Sequence, residues 1–166
     1  MIKLALFGAG RIGKIHGHNV ALNPQAELVA LHDPYQVNAD HLSAALGCKQ
    51  MTPEQIFSDP SITGILVCSA TDTHADLIEQ AVLAGKHVFC EKPLALNLQD
   101  CDTAVATCKE YDRQLMVGQV LPYFTEFQFA REVIASGEYG KLLGLSLIHI
   151  LRSRRANLCT LRCAAD

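Results

Sequence analysis

Phe7-Gly8-Ala9-Gly10-Arg11-Ile12-Gly13 follows an apolar run, residues 2–7, and opens a helical pattern over residues 12–22. In that strand–turn–helix setting, G-x-G-x-x-G is the fingerprint of a dinucleotide-binding turn rather than a chance match. Each glycine has a mechanical reason. Gly8 allows the tight turn, Gly10 lets backbone approach a pyrophosphate, and Gly13 lets helix and strand pack closely. The exposed amides and positive dipole end of the helix then favour an anionic diphosphate.

Working outward, the next signal is an acidic residue. The apolar stretch 28–31 is closed by Asp33-Pro34, and Asp33 lies 20 residues beyond Gly13. That is the spacing of the carboxylate that accepts hydrogen bonds from ribose hydroxyls and repels a 2′-phosphate. No Arg or Lys follows within five residues to welcome one. NAD is therefore expected and NADP disfavoured.

The rest of the chain alternates strand and helix. Helices are expected at residues 37–46, closed by Gly47, and in a short segment opened by Thr52-Pro53-Glu54-Gln55, which has capping-box spacing with proline at the first helical position. A weak strand is expected at 48–51 and a longer one at 62–70. A helix follows over 74–84, with Thr73 and Asp76 at capping-box-like spacing. The strand 87–90 then delivers Glu91-Lys92-Pro93. A helix over 98–111 has Asn97 as N-cap and presents Leu98, Cys101, Val105 and Cys108 as its core face. In the first helix the same role is expected of Ile12, Ile15, Val20 and Leu22. Another helix is read over 125–136, ending at Gly137. The architecture that fits is α/β, a doubly wound parallel sheet of Rossmann type. In such sheets ligands bind beyond the carboxyl ends of the strands. The residues 8–13, Asp33, 69–74 and 91–92 should therefore share one edge. A lysine there can donate a hydrogen bond or proton to an oxygen being reduced.

Composition narrows the classes further. At 166 residues and net charge −3 the chain has room for one sizeable core, with no overall bias toward nucleic acid or membrane. No leader-like or membrane-length apolar run is present in the sequence, so a cytoplasmic protein is expected. Seven cysteines without C-x-x-C spacing read as buried reduced thiols, not a disulfide framework or zinc site. The histidines are scattered, and no metal site is expected. Charge changes sign late: residues 1–150 carry ten Lys/Arg against sixteen Asp/Glu, whereas 151–166 carry four arginines against one aspartate. Those arginines lack aromatic neighbours for stacking, which argues against a nucleic-acid arm.

Three stretches together resemble the Gfo/Idh/MocA oxidoreductases, and among them the inositol 2-dehydrogenases. They are Gly8-Ala9-Gly10-Arg11-Ile12-Gly13, Thr71-Asp72-Thr73-His74-Ala75-Asp76-Leu77 and Phe89-Cys90-Glu91-Lys92-Pro93. The resemblance covers about residues 1–143. It implies that Gly8, Ala9, Gly10, Arg11, Ile12 and Gly13 hold the NAD diphosphate and Asp33 the adenosine ribose. Ser69, Ala70, Thr71, Thr73, His74 and Gln119 would line the cofactor cleft, and Glu91 and Lys92 would sit by the nicotinamide. Lys92 would be the catalytic residue, contacting the reacting oxygen of a polyol or sugar. The resemblance also makes the bond before Pro93 a candidate for cis and the full-length parent a homo-oligomer.

Two departures accompany it. Where inositol dehydrogenases carry an Arg-Arg-Phe-Asp-like segment after the sixth strand, this chain reads Val120-Leu121-Pro122-Tyr123-Phe124. The family also pairs its lysine with an aspartate and a histidine spaced D-x-x-x-H in a second α+β catalytic domain, and no such spacing occurs after residue 143. The expected organisation is a Rossmann domain over 1–122, a linking helix and the start of a truncated second domain over 123–144, and a non-family tail over 145–166. Leu145-Ser146-Leu147-Ile148-His149-Ile150 resembles a translated sequencing adapter, and the tail is read as artefactual. Two functions follow: a dehydrogenase moving hydride between a secondary alcohol and NAD, truncated here, or a non-catalytic NAD-binding module. With the second domain missing, Leu121, Phe124, Phe127, Val133 and Leu142 are expected to be exposed and to make the chain poorly soluble.

Overall fold

The computed structural model describes residues 1–147 and 159–163, with side-chain burial through residue 142. The chain divides into two units, Met1–Gln119 and the residues from Val120 onward.

The first unit is a six-stranded, fully parallel sheet. Its strands are β1 (Ile2–Phe7), β2 (Ala26–His32), β3 (Lys49–Gln50), β4 (Gly64–Val67), β5 (His87–Cys90) and β6 (Leu115–Val117), in the spatial order β3-β2-β1-β4-β5-β6. This is the doubly wound Rossmann order, whose direction reverses between β1 and β4. Its helices are α1 (Arg11–Ala21), α2 (Gln36–Leu46), α3 (Pro53–Ser58), α4 (His74–Leu83) and α5 (Leu98–Glu110).

Alternation along the strands splits the core into two layers. Ala5, Phe7, Ile65, Val67, Val88 and Cys90 pack with Ile56 of α3, Ile78 of α4 and Ala104 of α5 on one face. Leu6 and Leu66 pack with Val20 of α1 and Leu42 of α2 on the other. Leu28 and Leu31 both belong to this second layer, although their spacing has the wrong parity for a regular strand. The pairing register explains it: Leu4 faces Leu28 but Ala5 faces Ala30, so Val29 is an inserted residue. A β-bulge of this kind resets which side the following residues face.

The local signals are where the sequence puts them. Thr52 accepts from the Gln55 amide while the Gln55 side chain accepts from the Thr52 amide, completing the capping box. Asn97 caps α5 through the Asp100 amide at 2.9 Å. Gly47 ends α2 at φ +68. The peptide before Pro93 is cis.

Four expectations change. In α1 the buried face is Gly13, Gly17 and Val20, whereas Ile15 and Leu22 are exposed. A Cβ on Gly17 would stand 2.7 Å from the Leu46 side chain. The helix therefore lies too close to the sheet and α2 for large residues, which turn outward instead. In α5, likewise, Ala104 and Cys108 face the core, and Leu98 and Val105 do not. Thr73 does not cap α4. Its hydroxyl donates to the Ala70 carbonyl at 2.8 Å and meets Ser69 Oγ at 2.6 Å, within a 3₁₀ turn over Thr71–Thr73. Finally, β4 is shorter than the apolar run 62–70 at both ends: it begins at Gly64 and ends at Val67, ahead of that turn.

The second unit contains a 3₁₀ turn over Leu121–Tyr123 and α6 (Thr125–Ser136), closed by Gly137 at φ +67. Its strand β7 (Leu142–Leu147) pairs antiparallel with β8 (Cys159–Cys163). The sequence reading put no strand in 159–163. Leu121, Phe124 and Leu142 are exposed as expected, while Phe127 and Val133 are half-buried. His149 and the arginines at 152, 154 and 155 lie outside the described residues.

Candidate functional site

Parallel strands bring their carboxyl ends to one edge. The β1 end runs into the glycine turn, β2 into Asp33, β4 into Ser69–Thr73, β5 into Glu91-Lys92-Pro93 and β6 into Gly118-Gln119. The turn is shaped by close approach. Gly8 has φ +95, and a Cβ on it would lie 2.6 Å from the Cys68 backbone. A Cβ on Gly13 would stand 1.8 Å from the Gly8 carbonyl oxygen, so α1 sits directly on the turn. Above Gly10 there is open space, with no atom within 4 Å of an added Cβ. Gly10 is the N-cap of α1 and offers no side chain to its amides, and the first turn holds no acidic residue. The amides of this helix end thus lack a capping side chain beneath an open space, the arrangement that fits a diphosphate.

Asp33 joins two parts of this edge. Its Oδ2 accepts from the Ala9 amide at 2.6 Å, and its Oδ1 accepts from the Tyr35 amide at 2.8 Å. A carboxylate has about four acceptor positions, so lone pairs remain for ribose hydroxyls beside the glycine turn. A cavity of about 380 Å³ opens next to it. Gly8, Asp33, Ser69, Ala70, Asp72 and Thr73 line it, together with walls that the sequence reading missed: His32, Pro34, Tyr35, Pro53, Asp76 and Leu77. The mainly apolar lining suits a flat heterocycle. Pro34 and Tyr35 were readable as neighbours of Asp33, but Pro53 reaches the cavity only through the packing of α3. A larger groove, about 630 Å³, includes Lys3, Glu27 and Ser61 at the opposite ends of the strands and none of these residues.

At the other end of the edge stand Glu91 and Lys92. Glu91 is 13% exposed; His16 Nε2 lies 2.7 Å from its Oε1, and its Oε2 accepts from the Lys92 amide at 3.0 Å. Lys92 is exposed. His74 is 1% exposed, with Nδ1 2.9 Å from the Pro93 carbonyl and Nε2 3.2 Å from the Ser69 carbonyl. Both neighbours can only accept, so a neutral ring donates to one and an imidazolium to both. The ring of His74 is thus turned into the protein, between the two turns. Burial first, and the Glu91 carboxylate second, push the Cys68 and Cys90 thiols up to about 12. Both remain protonated and unreactive. Of the remaining expected residues, Ala9 is buried, Ile12 and Thr71 are half-buried, and Arg11 and Gln119 are exposed. Among the described residues, no group of three His, Cys, Asp or Glu side chains could hold a metal ion.

With this geometry in place, the chain can be set beside known proteins. The model of the oxidoreductase family with an NAD-binding Rossmann fold, Gfo/Idh/MocA, matches residues 2–119. An inositol 2-dehydrogenase of Rhizobium meliloti (strain 1021) is 36% identical over 141 residues, which are 85% of this chain and 43% of the relative. An inositol 2-dehydrogenase of Klebsiella pneumoniae (strain 342) is 34% identical over 167 aligned residues, 96% of this chain and 49% of the relative. That match takes in part of the stretch after residue 144. Among solved structures, the scyllo-inositol dehydrogenase of Lactobacillus casei with bound NAD(H) and scyllo-inositol superposes with a TM-score of 0.79. It is 25% identical, over 86% of this chain and 43% of that one. The chain spans less than half the length of these relatives.

Proposed function

This chain belongs to the Gfo/Idh/MocA oxidoreductase family with an NAD-binding Rossmann fold, and on that premise we propose that it holds the cofactor for a dehydrogenase of secondary alcohols. The observation that carries the reading is the 2.6 Å bond from the Ala9 amide to Asp33 Oδ2. It puts the ribose-type carboxylate against the glycine turn, where the two halves of an adenosine diphosphate would meet. The turn Gly8–Gly13 holds the diphosphate, Asp33 the ribose, and the cavity beside Ala70 and Tyr35 the adenine. NAD, when bound, supplies the hydride acceptor.

At the other end of the edge, Lys92 polarises the oxygen of the substrate carbon. In the oxidative direction it stabilises the developing alkoxide, and in the reductive direction it donates toward the carbonyl oxygen. The substrate class is a cyclic polyol or sugar, by analogy with the inositol dehydrogenases among its relatives. Val120-Leu121-Pro122-Tyr123-Phe124, which lacks arginine, argues for a substrate other than inositol itself. The full-length protein is read as a homo-oligomer on family resemblance. A second reading is an NAD-binding module without turnover. It is favoured by the fact that, among the described residues, no carboxylate or imidazole hydrogen-bonds the Lys92 ammonium to relay the substrate proton.

Calorimetric titration of the 166-residue chain with NAD and NADP tests the shared part. NAD should bind at least about tenfold more tightly than NADP. Asp33→Ala should lose most of that preference, since it removes both the ribose acceptor and the charge that repels a 2′-phosphate. A folded chain that binds neither dinucleotide, or both equally, overturns the reading.

A further inference from the structure

Glu91, Lys92 and Pro93 form a three-residue turn whose two outer members are each held by a histidine from a different helix. On the α1 side, His16 meets the Glu91 carboxylate at 2.7 Å. A carboxylate only accepts, so His16 Nε2 carries the proton in this pair, whatever the charge of the ring. The ring is itself seated, edge-on to Phe89 with centroids 4.9 Å apart. The carboxylate has little room to move. A Cβ on Gly118 would lie 3.2 Å from Glu91 Cδ and 3.2 Å from Oε1, so the glycine forms the floor beneath it. The second carboxylate oxygen accepts from the Lys92 amide. On the α4 side, the buried His74 faces the Pro93 carbonyl.

Lys92 stands between these two anchors, exposed and with no hydrogen-bond partner for its ammonium among the described residues. We propose that His16 is a positioning residue: through the Glu91 carboxylate it fixes the backbone amide of Lys92, and with it the direction in which the Lys92 side chain leaves the sheet edge. The inference rests on the reading of Lys92 and the cofactor cleft given above. His16 acts on the nicotinamide end of that cleft only. The adenosine end is built from Asp33, Ser69 and Ala70, none of which His16 hydrogen-bonds.

That asymmetry supplies the test. In the 166-residue chain, ADP and NAD are titrated into the wild type, His16→Leu and His16→Gln. ADP shares the adenosine diphosphate but lacks the nicotinamide. His16→Leu loosens the Glu91-Lys92 turn, which NAD must then order on binding; NAD should weaken about tenfold, with ADP affinity unchanged. His16→Gln, which keeps an N–H toward Glu91, should recover most of the loss. In parallel, lysines are reductively methylated with a carbon-13 label, and the Lys92 signal is assigned through Lys92→Arg. His16→Leu should shift or broaden that signal, and His16→Gln should restore it. Gly118→Ala provides the independent check should His16→Leu fail to fold. It presses on Glu91 Oε1, the oxygen that His16 holds, and on the Phe89 ring against which His16 is seated, and should move the same Lys92 signal.

If NAD and ADP affinities fall together, or the Lys92 signal stays put in His16→Leu (or in Gly118→Ala in its place), His16 has no positioning role. If the folded wild type binds neither ligand, the reading of the cleft fails instead.

Discussion

The glycine turn makes its strongest prediction by separating stability from binding. Gly10→Ala and Gly13→Ala are the same chemical change three residues apart. At Gly10 the backbone has φ −71 and ψ −166, a conformation any residue adopts, and the new methyl meets nothing within 4 Å. Alanine is a poorer N-cap than glycine, which costs roughly 0.5–1 kcal/mol. Its stiffer unfolded chain offsets this by about 0.4–1 kcal/mol. Net stability should therefore change by less than about 1 kcal/mol. Binding should not be spared. The methyl projects into the open space over the first turn of α1, and keeping a diphosphate off those amides forfeits at least one charge-assisted hydrogen bond. At about 1.5–3 kcal/mol each, that raises Kd by roughly ten- to a hundredfold.

At Gly13 the balance is reversed. The methyl would stand 1.8 Å from the Gly8 carbonyl oxygen, well inside contact distance, so α1 must back away from β1. Overpacking of this kind costs about 1–3 kcal/mol or more. That lowers Tm by roughly 4–15 °C for a unit of this size. Scanning calorimetry and NAD titration on the two variants give the answer. A Gly10→Ala chain that melts like wild type and binds NAD like wild type refutes the assignment of the open space to the diphosphate. A Gly13→Ala chain of wild-type stability refutes the packing argument.

Two other outcomes follow from particular groups. Because burial holds Cys68 and Cys90 up to about 12, at about pH 8 only roughly one molecule in ten thousand carries either thiolate. A thiol reagent should therefore spare both the buried Cys90 and the half-buried Cys68 in the native chain and modify them on unfolding, as peptide mapping would show; prompt native labelling would contradict their raised pKa. The same shift has a stability consequence. These thiols are raised above their ordinary value of 9.0, so their contribution is complete below that pH and is lost as pH climbs toward 12. Alkaline unfolding monitored by circular dichroism should show the loss in that window, reduced in Cys90→Ala after correction for its lower baseline stability. Thr52→Ala removes one half of the capping box of α3 and should cost about 1 kcal/mol, lowering Tm by roughly 3–6 °C. An unchanged melting curve would mean that the box adds nothing to what proline at the first helical position already provides.

What the sequence determined by itself is the part built from neighbours. The strand–turn–helix at Gly8–Gly13, the Thr52–Gln55 box, the Asn97 cap and the Gly47 stop each depend on hydrogen bonds or backbone angles within a few residues, and their residue types state them. The alternation of elements, with a carboxylate 20 residues past Gly13, was enough to name a doubly wound sheet. Burial faces were not readable in the same way. In α1 and α5 Val20 and Cys108 reach the core as their spacing predicts, but Ile15, Leu22, Leu98 and Val105 are exposed, because small residues, Gly13, Gly17 and Ala104, let the helices approach the sheet closely. The bulge at Val29, which sends Leu28 and Leu31 to one side, likewise leaves no mark in the hydrophobic pattern. The site divides along the same line. Sequence spacing put Asp33 near the turn, but only parallel pairing of β1 with β2 brings its carboxylate to the Ala9 amide. Nothing local connects His16 with Glu91, 75 residues apart. They meet because the sheet reverses its winding between β1 and β4, which leaves the start of α1 and the end of β5 facing each other across one edge.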